Sequence, residues 1–273
     1  MDATLSNCTT PAVIRCAIAA HAAVRATPEM LAQWRRQPPP VAGQPLPTTF
    51  LKHSDDQTVA SLAAVHQAIV RAGWLGRSFS DWGVIAAPSF FGRGGMAHAV
   101  QRYAEDGAWG VSPHVIPHQS LHAVSGTISQ LLKLHGPNFG INGGPQACND
   151  AFLIAAALLA EAAVPGLWLL LSGHEREWMP TENGKSADPS TTERIQPPVC
   201  EAVALAVVPA APDDDLCLCI GPEATETGRD VFTVAALIAA LTAMDGPVAR
   251  TWTLPGAGWL ELEAATRTAG SRH

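Results

Sequence analysis

Apolar and polar positions alternate along this chain in blocks that predict strands and helices in turn. Residues 12–24 are apolar with β-branched members and predict a first strand and its continuation. Pro28 opens a short helix that runs through Trp34 and Arg36. The stretch 38–47, with its prolines, predicts a surface loop, since proline is excluded from helix interiors. Asp55 and Asp56 then cap a helix whose apolar positions Val59, Leu62, Ala63, His66, Ile69 and Val70 recur at three and four residues, and Gly73 ends it. A strand is predicted over 82–87, a helix over 96–103, and one amphipathic helix over 119–134 with Leu121, Val124, Ile128, Leu131 and Leu132 on one face. His135-Gly136-Pro137 stops it. A short strand at 138–142, the turn Gly143-Gly144-Pro145, an apolar helix over 151–163 and a strand over 167–171 follow.

Residues 175–198 are polar, with Asn183-Gly184 and several prolines, and predict a loop. Strands are predicted over 201–208, 216–220, 248–254 and 259–262, with a helix over 231–244 between the middle two. Strands alternating with helices, several of them uniformly apolar, predict an α/β layered fold whose sheet is covered on both faces. The longest apolar stretch, 151–173, is interrupted by Glu161, Pro165 and Gly166, so it reads as helix, turn and strand, and no membrane span is expected.

Composition narrows the function. The chain of 273 residues is 47% hydrophobic and 15% charged, which excludes a disordered protein and suggests extensive burial. The net charge of −7 and the three lysines, Lys52, Lys133 and Lys185, give no basic stripe for nucleic acid. The six cysteines show no paired zinc spacing; Cys217 and Cys219 read as core thiols on one strand face. A reducing cytoplasm without a signal peptide is the expected setting, because no basic residue precedes the first apolar run.

Segment Gly110-Val111-Ser112-Pro113, the stretch HAVSGTISQLLKLHGPNFGIN over 122–142 and CEAVALAVV over 200–208 together resemble the β-ketoacyl synthases. The resemblance covers most of 50–208. It implies a thiolase-like layered fold, buried mixed sheets between helices, with a synthase-like N-terminal half at 1–208 and a truncated second half at 209–273 packed with it as one unit. In that family a buried strand feeds a tight turn, and the nucleophilic cysteine stands where an apolar helix leaves it. There the helix dipole lowers a thiol's pKa, and backbone amides hold an oxyanion.

The chemistry departs from the family. Counting forward from Pro137 puts Pro145 in the nucleophile's place, whereas counting back from the strand that ends at Gly173 puts Cys148 there. Pro145, Gln146, Ala147 and Cys148 therefore form a degenerate nucleophile turn. Gln146-Ala147 resembles the chain-length factors, inactive partners in type II polyketide synthesis that often carry glutamine in place of the cysteine. No histidine stands between His174 and His273, so the family's second-half histidines are missing, and Pro255-Gly256-Ala257-Gly258 resembles a worn glycine turn.

The resemblance thus implies no catalytic residue, no cofactor and no metal. It implies a heterodimer with an active synthase (or a homodimer when the chain is alone) that meets acyl carrier protein indirectly, with Phe139, Ile141, Phe152 and Leu153 lining an acyl pocket. The alternative is a cysteine-dependent acyltransferase or thioesterase using Cys148, with His114, His118, His122 or His174 as base. His114 and His118 are four apart, a metal-ligand spacing, but Pro113 and Pro117 predict extended chain there. Gly92-Arg93-Gly94-Gly95 reads as a flexible turn or a phosphate cradle. Arg71, Arg77, Arg93 and Arg102 read as solvated charges or as contacts to the acidic carrier protein.

Overall fold

The computed structural model describes residues 13–40, 43–141, 144, 146–175, 199–222, 229–243 and 249–264. Residues 176–198 of the expected loop, Pro145 and His273 lie outside them. Eight strands form one mixed sheet in the order β3-β2-β4-β5-β1-β6-β8-β7. β2 (Gly83–Pro88) runs parallel to β3 (Asn138–Gly140) and to β4 (Leu167–His174). β1 (Ile14–Ala26), β5 (Cys200–Pro209), β6 (Leu216–Gly221), β7 (Ala249–Leu254) and β8 (Gly258–Ala264) continue it in antiparallel pairs.

Helices cover both faces. On one side α1 (Pro28–Arg36), α2 (Asp56–Arg71) and α5 (Ala123–Leu132) pack on Val84, Trp168, Leu170, Ala202 and Ala204. On the other, α6 (Ala147–Ala160) and α7 (Val234–Thr242) pack on Ile85, Leu169, Leu171, Val203 and Leu205. Odd and even positions of β4 thus serve different cores, which is why the strand reads as a continuous apolar run. In β1 the register slips at Ile18/Ala20. Cys16 and Ile18 face the α6 layer, but Ala20, Ala22, Val24 and Ala26 face α2. One extra residue, Ala19, turns the strand over, as a bulge must when side chains alternate with a period of two.

Asp55 caps α2 by accepting from the Gln57 N–H at 2.9 Å, and Thr27 caps α1 ahead of Pro28. The helix expected over 119–134 begins only at Ala123, and Gln119 ends a separate short helix. α4 (Val115–Gln119) ends at Ser120, which is extended at φ −79°, ψ 155°, and α5 begins at Ala123. Leu121 therefore falls between them and is exposed. The prolines at 113 and 117 do not force extended chain. Pro117 lies in the first turn of α4, where an amide hydrogen has no helical partner anyway.

Before α4 come α3 (Arg93–Asp106) and a single 3-10 turn, Gly107–Gly110. The glycines at the start of α3 have a packing role: a Cβ at Gly92 would lie 2.8 Å from the Gln119 carbonyl oxygen, and one at Gly95 2.8 Å from its Oε1. α6 starts four residues ahead of the expected 151, so Cys148 lies inside its first turn.

Candidate nucleophile turn

β2 and β4 end side by side, and α6 leaves the glycine turn next to them. Gly144 adopts φ +86°, where a Cβ would also press within 3.2 Å of the Phe90 ring. Gln146 is the exposed N-cap residue, Ala147 is buried, and Cys148 is buried at 5% exposure. Ser89, just beyond β2, ties the site together. Its N–H donates to the Ser172 carbonyl at 2.7 Å and its own carbonyl accepts from Gln57 Nε2 at 2.9 Å, while its side chain hydrogen-bonds the Cys148 thiol. Ser172 Oγ donates to Gln57 Oε1 at 3.0 Å. From the far end of the sheet, the turn after β7 joins in: the Pro255 carbonyl accepts from Asn149 Nδ2 at 3.2 Å. The worn glycine turn is thus brought against the start of α6.

Two effects compete at the thiol. The N-terminal end of α6 and the Ser89 hydrogen bond favour thiolate, and burial opposes it. Burial wins, and the thiol is pushed up to about 12 against an ordinary 9.0. Near pH 8 the thiolate fraction is then about a thousandfold below that of an ordinary cysteine. Cys148 is accordingly expected to resist iodoacetamide in the folded protein and to react once urea unfolds it. Fast labelling of the native chain, followed by peptide mass spectrometry, would contradict this environment.

The four histidines considered as bases go elsewhere. β4 alternation puts His174 on the α2 face, opposite α6, where it meets Asp56 at 3.8 Å. That contact, with Arg35 beside it, holds the Asp56 carboxyl below its ordinary range. His122 Nδ1 is 3.2 Å from Ser125 Oγ. His114 and His118 pack with His53. Among the described residues, Ser89 is the side chain that hydrogen-bonds Cys148.

The acyl-pocket candidates separate. Phe152 is fully buried and meets Phe232 edge to face with ring centroids 5.1 Å apart. Ile141 is half-buried against the same core. Phe139 and Leu153 are exposed. Of the candidate arginines, Arg77 lies over Trp74 at 4.3 Å, Arg93 over Phe90 at 4.1 Å, and Arg102 pairs with Asp106 at 3.2 Å. Sequence reasoning missed Ser89 and Asn149. The signal available for Ser89 was its place just past the carboxyl end of a buried parallel strand, where α/β sheets collect polar atoms.

No family model matches the chain, and no curated protein does. Solved structures do. A β-ketoacyl synthase from Burkholderia phymatum STM815 is similar over 84% of this chain and 69% of its own, at TM-score 0.51 and 14% identity. The type II polyketide AntDE:AntF complex, an acyl-carrier protein with its ketosynthase bound to the hexaketide, gives 72% and 63%, at 0.50 and 14%. The ishigamide ketosynthase/chain length factor gives 75% and 65%, at 0.49 and 16%. The chain spans less than two thirds of the latter two. The fold is thiolase-like, as in the synthases.

Proposed function

We propose, from the thiolase-type fold this chain shares with the β-ketoacyl synthases, that it is a non-catalytic subunit of the chain-length-factor kind. It pairs with an active synthase in type II fatty acid, polyketide or aryl-polyene biosynthesis, completes that partner's acyl pocket, and meets acyl carrier protein through the complex. Residues 1–208 supply the synthase-like half, and 209–273 pack with it as part of the second half.

One observation carries the reading. On this reading the nucleophile's position falls to Cys148, whose thiol is kept neutral by burial and whose side-chain partner is Ser89, not a histidine. Attack on an acyl thioester needs thiolate, and decarboxylation needs donors for the developing enolate. The stretch 175–272, from which a synthase draws its histidines by resemblance, has none. A type II polyketide ketosynthase in complex with its acyl-carrier protein, among the similar structures, supports a place in the same kind of assembly.

The test is reconstitution. The purified chain should neither decarboxylate malonyl carrier protein nor condense acyl chains. Co-expressed with a synthase encoded beside it, it should co-purify, and Cys148→Ala should leave the activity of the complex within about twofold. A working nucleophile would lose several orders of magnitude on the same change. A stable acyl adduct on Cys148 after incubation with acyl thioester would favour the cysteine-dependent acyltransferase instead.

A further inference from the structure

His53, His114 and His118 come from two places in the chain and meet at the surface. His53 stacks on His114 with centroids 4.3 Å apart and planes within 5°, and His118 lies 6.0 Å from each. His53 and His114 stack face to face, His118 is tilted to both, and among the described residues no group of such ligands is placed to hold a metal. His53 belongs to the turn ahead of α2. His114 precedes α4 and His118 is within it, one turn apart. The stack fastens the α3–α4 segment to the frame of α1 and α2. Between α3 and α4 runs an apolar groove of about 480 Å³ lined by Met96, Val100, Tyr103, Val111 and Ile116.

The charges around the rings share one sign. His114 and Lys52 act on His53, and His53 and His114 act on His118. The nearby carboxylates are turned elsewhere: Asp55 caps the Gln57 N–H, and Asp56 meets Arg35 and His174. On α3, Glu105 bonds Gln101, Asp106 pairs with Arg102, Arg93 lies over Phe90, and His98 is exposed. On α5, His122 is bonded to Ser125.

We propose that these rings form a proton-sensitive latch that holds α4 on the turn before α2 while His53 and His118 are neutral and releases it when they are charged. A neutral imidazole stacks on its neighbour. Two imidazolium rings at the same separation repel, and Lys52 adds to the repulsion. Desolvation, followed by neighbouring cations, lowers the pKa of both His53 and His118 from the ordinary value. Groups depressed in this way oppose protonation in the docked state. Docking is therefore complete above the free-histidine range and is lost as pH falls through the lowered values.

Hydrogen exchange of the full chain, read as protection factors corrected for intrinsic rates, tests this. Between about pH 7.5 and about pH 5, protection over 111–122 should fall roughly tenfold or more, while α2 and β4 hold theirs. His53→Phe keeps a ring to stack on His114 that cannot charge, and its protection over 111–122 should change less than about twofold between the same pH values. His114→Gln removes the stack and should leave the segment open at both. An unchanged wild-type profile, or an equal acid loss in wild type and His53→Phe, would overturn the latch. None of these readouts depends on the proposed partner or on acyl chemistry.

Discussion

Phe139→Asp is expected to separate this chain from the synthase partner proposed above and leave it folded. β3 is the margin of the sheet: among the described residues it pairs with β2 alone. Phe139 on it is 43% exposed. An apolar open strand edge is a pairing surface, and in a heterodimer it would fall in an interface of roughly 2,000 Å² or more.

A carboxylate placed in such a seam leaves a desolvated charge without a partner, at a cost of about 3–5 kcal/mol. That weakens association by roughly two to four orders of magnitude. Ile141 is a poorer probe. It is half-buried against the α6 core and its N–H donates to Ala86 at 2.7 Å, so Ile141→Asp would disturb the fold as well. Sedimentation of the co-expressed pair measures the effect. A Phe139→Asp complex of unchanged stoichiometry at low micromolar concentration would remove β3 from the interface.

Trp168→Ala is expected to cost about 3–5 kcal/mol of folding stability, a large part of the total for a domain of this kind. Trp168 stands near the start of β4 with no exposure, and its ring meets Phe79 at 5.6 Å and Trp82 at 6.2 Å. Trp74 completes the group, and Arg77 covers it from solvent. The indole Nε1 is buried without a hydrogen-bond partner, so Trp168→Phe removes an unsatisfied donor along with some volume and should cost about 1 kcal/mol or less. Urea unfolding followed by circular dichroism separates the two. Equal losses for Ala and Phe would mean that the ring cluster contributes little.

The sequence made the layering legible because β2, β4 and β5 are buried on both faces and read as apolar runs, with Ser172 and His174 at the end of β4 and Glu201 at the start of β5 as the polar exceptions. The α2 boundaries were legible because Asp55 and Gly73 are strong local signals. α4 was not. Pro113 ahead of it and Pro117 within it argue for extended chain, and only its packing on the α3 glycines makes the short helix worthwhile. The order of strands was also out of reach, since nothing local tells β1 to lie between β5 and β6. At the site, the small-residue turn and helix start were legible, but the state of Cys148 was not: whether the helix dipole or burial prevails depends on contacts from β2. The sorting of His174 to the opposite face follows from β4 alternation, yet it could not be read until the facing helices were known.

The position of β1 also sets a timetable for synthesis. Its partner strand β5 pairs Cys16 with Pro209 and Ala26 with Cys200. At ribosomal speeds of about 5–20 residues per second, β1 waits roughly 10–40 s for its neighbour to be made. It spends that time as an unpaired strand with apolar residues on both sides, though most of them are alanines, which offer little surface for misassociation. Because its neighbours on both sides come late in the chain, the centre of the sheet is among its last parts to close. Slow translation or an early stop therefore exposes this segment to trigger-type chaperones more than any element that pairs locally, such as β7 with β8.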